Sequence, residues 1–262
     1  MREIGCGLQP LRYRLLIDGL FRSRPSSPQL ARLPPLRYHL AMPQTAGICG
    51  VILAAGESAR MGRDKALLPW PPVAEGAPAV NTFLGAMIDL LQQHADLVIV
   101  VAGRNIAELE PVADAHGAFT VVNPAPERGQ FSSIQVGLRE VLNRGRDAAF
   151  LVPVDRPPVL PATVHDLRTA FLAADSDVWA VVPEVLQDGA PVHGHPILIG
   201  RELMEQFLRA PATAVAREVE HRHHNHIRYL RLGDARIAAN IDTPEDYLRL
   251  MRTEIIPANT TF

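Results

Sequence analysis

Gly50-Val51-Ile52-Leu53-Ala54-Ala55-Gly56-Glu57-Ser58-Ala59-Arg60-Met61-Gly62-Arg63-Asp64-Lys65 is the stretch on which the fold turns. It opens with an apolar, partly β-branched run of the kind that makes a strand buried on both faces of a parallel sheet. Within one residue the chain changes to small side chains and glycine, so a strand ends at Leu53 and a loop begins. Ala54, Ala55 and Gly56 put little bulk between the main chain and an incoming anion, which lets backbone N–H groups turn towards it. Arg60 and Lys65 add two positive charges around the same point. The loop reads as a cradle for a polyphosphate.

The spacing excludes two familiar phosphate loops. A Walker A loop needs Gly, four residues and then Gly-Lys-Ser/Thr, and a dinucleotide fingerprint needs Gly-x-Gly-x-x-Gly; this stretch is neither. It reads Leu-Ala-Ala-Gly-x-Ser-x-Arg-Met-Gly-x-x-Lys, followed by Leu67-Leu68-Pro69. That order resembles the signature loop of the nucleotidyltransferases that join a nucleoside triphosphate to a phosphorylated acceptor, above all the enzymes that put CMP or GMP on the molybdenum cofactor. The resemblance covers residues 48–252. It implies an α/β fold with a three-layer, mostly parallel twisted sheet flanked by helices, Rossmann-like in layering. It also implies that Leu53, Ala54, Ala55, Gly56, Ser58, Arg60, Met61, Gly62 and Lys65 hold the nucleotide.

The bulk composition agrees with a globular chain. Hydrophobic residues make up 47% and charged residues 21% of 262 residues, enough to bury a sizeable core. No apolar run approaches the ~20 residues needed to cross a bilayer. The net charge of −2 conceals an asymmetry: residues 1–46 hold seven Arg against two acids, which leaves the remainder at about −7. An acidic body argues against a nucleic-acid surface. Two cysteines, Cys6 and Cys49, cannot build a disulfide framework and suit a reducing cytoplasm.

The chain divides into an Arg- and Pro-rich leader (1–46) expected to be disordered, one nucleotidyltransferase domain (47–253) and a short tail (254–262). The leader suits an organelle transit peptide by composition. Alternatively Met42 is the true start and the leader an upstream extension. Trp70-Pro71-Pro72 to Pro78 reads as a surface turn. Asn81 is expected to cap a helix over 82–94 whose Phe83, Leu84, Met87, Ile88 and Leu91 face the core. Strands at 97–102, 119–122, 148–152 and 178–183 alternate with helices at 105–116, from Ser132 onward, and at 161–173, an α/β order. Gly194-His195-Pro196 leads into a further strand.

Three later segments carry chemistry. Asp155 follows the strand at 148–152, and in open α/β sheets ligands lie outside the carboxyl ends of the strands. A carboxylate there can hold Mg²⁺, which takes one or two carboxylates together with phosphate oxygens and water. The resemblance adds Asn123, Gly129 and Ser133 as contacts to base and ribose, although serines at a helix start also serve as plain caps. It places the acceptor beside Gly194, His195 and Pro196. It gives the second metal contact to Asn240 or Asp242, ahead of a Thr243-Pro244-Glu245-Asp246 helix start. Arg156 stands where the molybdenum cofactor enzymes carry Gln or Met, which leaves the acceptor open. His221, His223, His224 and His226 match no zinc spacing.

The expected activity is Mg²⁺-dependent transfer of NMP from an NTP to a molybdopterin-type acceptor, with Arg60, Lys65 and Asp155 catalytic. CTP is favoured over GTP, because the guanylyl type carries a second glycine near Ala54-Ala55. The alternatives are another phosphorylated acceptor, such as a sugar phosphate, methylerythritol phosphate or phospholactate, or a binding module that partners a molybdoenzyme.

Overall fold

The computed structural model describes residues 47–73, 78–211 and 213–252. The leader, its alternative start at Met42 and the tail lie outside the described residues. β1 (Ile48–Leu53) has all six residues buried. The short strands β2 (Pro69–Trp70) and β3 (Asn81–Thr82) pair antiparallel and lead into α1 (Phe83–Gln92). There follow β4 (Leu97–Ala102), α2 (Ile106–Ala115), β5 (Phe119–Val122), α3 (Gln130–Asn143), β6 (Ala148–Pro153) and α4 (Pro161–Leu172). The second half adds β7 (Ala180–Gln187), β8 (Ala190–His193), β9 (Ile197–Gly200), α5 (Arg201–Arg209), α6 (Ala216–Arg222), β10 (Ile227–Arg231) and α7 (Pro244–Arg252).

The eight-stranded sheet runs β10-β7-β9-β6-β1-β4-β5, with β8 paired to β7. β1 lies between β4 and β6, parallel to both, with Ile52 opposite Val100 and Val152. β9 pairs antiparallel with both β6 and β7. The sheet is mostly parallel and flanked by helices, as expected. Alternation along β1 sorts its side chains: Ile48 and Ile52 face α1, α2 and α4, while Cys49, Val51 and Leu53 face α3 and α5. Cys49 is fully buried, and burial pushes its thiol pKa up to about 12, so it acts as a small hydrophobe.

Two local expectations change. Thr82, not Asn81, caps α1, its hydroxyl accepting the Gly85 N–H at 3.0 Å, while Asn81 is engaged in the β2–β3 pair. Trp70 is buried rather than part of a surface turn, its ring edge-on to Phe83 at 5.1 Å. Such aromatic pairs contribute ~0.5–1.5 kcal/mol beyond area burial. These rings join Met61, Leu68, Ile241, Tyr247 and Leu250 in a small core that ties the loop after β1 to α7. No helix among the described residues is long and apolar enough to cross a membrane.

Candidate active site

The loop after β1 is pinned from beneath. Ala54 N–H donates to Val101 O at 2.8 Å, extending the sheet by one bond before the chain turns away. Asn105, just past β4, supports that turn with its whole amide: Nδ2 donates to Ala54 O at 2.9 Å and to Asp64 Oδ2, while Oδ1 accepts the Gly103 N–H at 2.9 Å. The loop rests so closely on Gly103 that a Cβ there would sit 2.7 Å from Ala55 O, which is why the position is glycine. Asp64 Oδ1 in turn caps the Ala66 N–H at 2.9 Å, and Ser58, with φ of 49°, accepts the Lys65 N–H at 3.1 Å. These bonds fix where Lys65 leaves the main chain.

The opposite wall is the start of α3. Asn123 is buried, and its Nδ2 donates to Ser132 Oγ at 2.8 Å and Ser133 Oγ at 2.9 Å while Oδ1 accepts the Ala125 N–H. Its amide is thus committed to holding the helix start. Gly129, at φ of 88°, opens α3 without a side chain. The N-terminus of α3 therefore presents Gly129, Gln130 and Ser133 to the cavity, with the helix dipole positive at that end.

Charge gathers at the carboxyl end of β6. Lys65 Nζ donates to Asp242 Oδ1 at 2.8 Å, and Arg60 approaches the same oxygen at 2.9 Å. The Lys65 side chain is 11% exposed and the Arg60 side chain 70%, so lysine is the fixed charge and arginine the solvent-facing one. Asn240 Nδ2 donates to Asp242 Oδ2 at 2.6 Å. The hydrogen bond from Lys65 holds the Asp242 carboxyl below its ordinary pKa. Asp155 is the reverse case: burial raises its pKa, Arg156 and Lys65 oppose the rise, and Asp242 adds to it. The Ile241 N–H donates to Asp155 O at 2.8 Å, which docks the 240–242 segment against the β6 loop.

These walls enclose a cavity of about 290 Å³ lined by Leu53, Ala55, Gly56, Ser58, Lys65, Gly129, Ser133 and Asp155 from the expected set. Pro126, Gln130, Pro153 and Val154 also line it and were missed by sequence reasoning, as were Asn105 and Asp64 beneath it. An Asn two residues after a strand-ending glycine was the available signal for Asn105. Other expected contacts lie outside the lining. Ala54 and Met61 are buried, Met61 within the small aromatic core, and Gly62 at φ of 73° turns the chain behind Arg60. Gly194 packs on a 3-10 turn at Ala235–Ala238, where a Cβ would overlap Ile237 O. Pro196 faces a small apolar void with Pro157 and Pro158, leaving His195 as the polar member of that segment.

The residues fit a divalent cation. Asp155 Oδ1 is buried without a hydrogen-bond partner, with Arg156 Nε 3.8 Å away, which leaves the oxygen with bonding capacity for a cation or a water. Among the described residues no group of three or more His, Cys, Asp and Glu forms a metal cage. Mg²⁺ asks for less, since phosphate oxygens and water complete its shell. Of the four histidines after α5, His226 stacks on Trp179 at 3.9 Å and His221 on His224 at 5.7 Å.

A sequence profile described as a MobA-like NTP transferase domain matches residues 50–227. The chain is 33% identical over 138 residues to the "Probable molybdenum cofactor guanylyltransferase" of Mycobacterium tuberculosis (strain ATCC 25618 / H37Rv), a stretch covering 52% of this chain and 62% of that protein, less than two thirds of its length. The crystal structure of Rv0371c from Mycobacterium tuberculosis H37Rv superposes with a TM-score of 0.65 at 27% identity, covering 79% of this chain and 98% of that one. The same protein in complex with manganese gives 0.61 at 26% identity over 79% and 99%.

Proposed function

Because the chain belongs to the MobA-like NTP transferase family, we propose that it transfers a nucleoside monophosphate from an NTP to a phosphorylated acceptor of the molybdopterin type. The observation that carries this reading is a cavity that Lys65 and Asp155 line together with a small-residue loop and a helix N-terminus, with Asp242 and Arg60 joined to it through the Lys65–Asp242 and Arg60–Asp242 ion pairs. Pairs of cations around one carboxylate suit a polyanion that enters with its own charge.

In the step itself, an oxygen of the acceptor phosphate forms a bond to the α-phosphorus. The bond from that phosphorus to the oxygen bridging towards the β-phosphate breaks, and its electron pair leaves with pyrophosphate. A dianionic acceptor has no proton to lose, so no general base is required. Positioning and charge neutralisation then dominate. Arg60 serves the outer phosphates, Lys65 the charge developing at the α-phosphate, and the N-terminus of α3 the nucleoside end. Asp155 and Asp242 would hold Mg²⁺, which neutralises phosphate charge when bound. Asn240 orients Asp242 through its 2.6 Å hydrogen bond and is the outer member of the pair.

The expectation from the Ala54-Ala55 pair was CTP. The relatives named guanylyltransferase support GTP instead, and GTP is the nucleotide proposed here. The test is pyrophosphate release from GTP, CTP, ATP and UTP with Mg²⁺, with and without molybdopterin. Release from GTP only when molybdopterin is present is expected. Release from CTP alone would return the reading to the cytidylyl type, and release from no nucleotide would overturn the proposed transfer.

A further inference from the structure

The loop after β6 and the segment that brings Asp242 to the site lie side by side and run in opposite directions. Ile241 N–H donates to Asp155 O at 2.8 Å, Arg156 Nη1 to Ala239 O at 3.0 Å, Arg236 Nη1 to Pro158 O at 3.2 Å and Leu160 N–H to Asp234 Oδ2 at 2.7 Å. As one stretch advances from 155 to 160, the other steps back from 241 to 234. Neither stretch is a strand, so the pairing is not a sheet ladder. Apart from the first, each cross-link is made by a side chain, and particular residues therefore decide the register.

The end away from the cavity is closed by a buried ion pair. Asp234 and Arg236 are only 6% and 7% exposed. Asp234 Oδ1 accepts the Arg236 N–H at 3.1 Å and its Nε at 3.3 Å, while Oδ2 also accepts the Thr163 hydroxyl at 2.9 Å. Leu160 stands at the N-cap of α4 without a side chain that can cap it, so Asp234 supplies from across the pairing the acceptor that the helix start lacks. Val159 and Ile237, one from each stretch, are buried in the same core cluster. Against an apolar pair of similar volume a buried ion pair gives little net stability, because desolvation offsets the attraction. Its directional bonds do something an apolar pair does not: they hold at one register only.

The other end carries the carboxylates assigned to the metal. Asp155 opens one stretch and Asp242 follows Ile241 directly in the other, so the register of the pairing sets where the two carboxylates stand relative to each other. Arg156, charged where the resembling enzymes carry Gln or Met, is one of the cross-links.

We infer that Asp234 and Arg236 are positioning residues for the divalent cation: from the other end of the pairing they lock the register that brings Asp155 and Asp242 to one metal. This rests on the metal site proposed above and adds what holds its ligands in place.

The probe is Mn²⁺, titrated into nucleotide-free protein and followed by electron paramagnetic resonance at a temperature where circular dichroism shows each variant folded. The test variant is Asp234→Asn/Arg236→Met, which removes the bond to Pro158 O without stranding a buried charge. Its Mn²⁺ dissociation constant is expected to rise about 10-fold or more, the range for partners that orient metal ligands. Arg236→Lys, which keeps a cation beside Asp234, should fall between that variant and wild type. Leu203→Ala truncates a buried side chain on α5, which begins where Gly200 pairs with Ala148 at the opposite edge of the sheet. It should lower Tm and leave Mn²⁺ affinity within about 2-fold of wild type. Unchanged affinity in the double variant, or an equal loss in Leu203→Ala, overturns the inference. Asp155→Asn separates it from the metal site itself. Wild-type binding no tighter than in Asp155→Asn overturns the site and the inference with it, whereas binding that needs Asp155 and not the Asp234 and Arg236 pair overturns the inference alone.

Discussion

Replacing Asn105 by Ala tests whether the loop after β1 is positioned from beneath. The substitution removes a donor to Ala54 O, an acceptor for the Gly103 N–H and a donor to the Asp64 carboxylate. Neutral hydrogen bonds contribute ~0.5–1.5 kcal/mol each and those to charged groups ~1.5–3 kcal/mol. Asn105 is only half-buried, so water replaces part of the loss and the expected destabilisation falls to about 2–3 kcal/mol. For a chain of this size that lowers Tm by about 4–12 °C. The functional loss should be sharper, since Asp64 no longer fixes the turn that aims Lys65: KM for the nucleotide rises and turnover falls. Asn105→Asp should be worse than Ala, because it faces one carboxylate with another. Pairing it with Asp64→Asn should recover part of the loss, because the amide introduced by that second substitution can donate to the new carboxylate. Thermal unfolding and steady-state pyrophosphate release measure both effects. An Ala variant that melts within about 2 °C of wild type, with unchanged KM, would refute the positioning argument.

Lys65→Ala should lower turnover by about 10²–10³-fold, in the range seen when one transition-state donor is removed. Its circular dichroism should stay unchanged, because Arg60 still pairs with Asp242; wild-type turnover would remove Lys65 from the mechanism. Burial raises the Asp155 pKa, so its ionisation costs stability as pH rises through the folded value. Metal-free Asp155→Asn should therefore melt above metal-free wild type at pH 7, with the gap closing below the ordinary carboxylate pKa. Mn²⁺ affinity followed by electron paramagnetic resonance should fall on acidification at a higher pH than an ordinary carboxylate would give, and should be weak at every pH in Asp155→Asn. Asp234→Ala should cost about 3–5 kcal/mol by chemical denaturation, the range for removing one partner of a buried ion pair. It strips Arg236 of its partner and removes the acceptor for Leu160 N–H and Thr163 Oγ.

Which parts of this were legible in the sequence follows from how local each signal is. β1, β4 and β6 are continuous apolar runs bounded by glycine, proline or charge, and such runs have few other uses in a globular chain. The loop residues that line the cavity were legible because they are small side chains contiguous in sequence, the pattern expected of a loop that offers its backbone groups to an anion. Asn105 and Asp64 were not, because their role exists only once β1 and β4 are paired and the loop folds back over Gly103. Met61 is the opposite case. Its place in the motif suggests nucleotide contact, while in the structure it is an apolar anchor against Tyr247 and Ile241, a partnership that spans most of the chain. Trp70 was misread for a similar reason: three prolines nearby speak of a turn, and nothing local reveals that Phe83 and Tyr247 come together to bury the indole.

The convergence of distant segments on one place has a topological cause. β1, β4, β5 and β6 are parallel, so the loops that follow them, carrying Lys65, Asn105, Asn123 and Asp155, all leave from the same edge of the sheet. β9 is antiparallel to β6, so it is the residues before β9 that share this edge, and His195 arrives beside Arg156 for that reason. A parallel strand in the same slot would carry its opening residues to the far edge and leave Arg156 without the imidazole. Asp242 belongs to no strand. It reaches the edge because the Ile241 N–H docks on Asp155 O and the Ile241 side chain enters the aromatic core beneath Met61. The last carboxylate of the site is thus placed by the same apolar cluster that anchors Met61 in the loop after β1, so one packing unit sets the positions from which Lys65 and Asp242 meet.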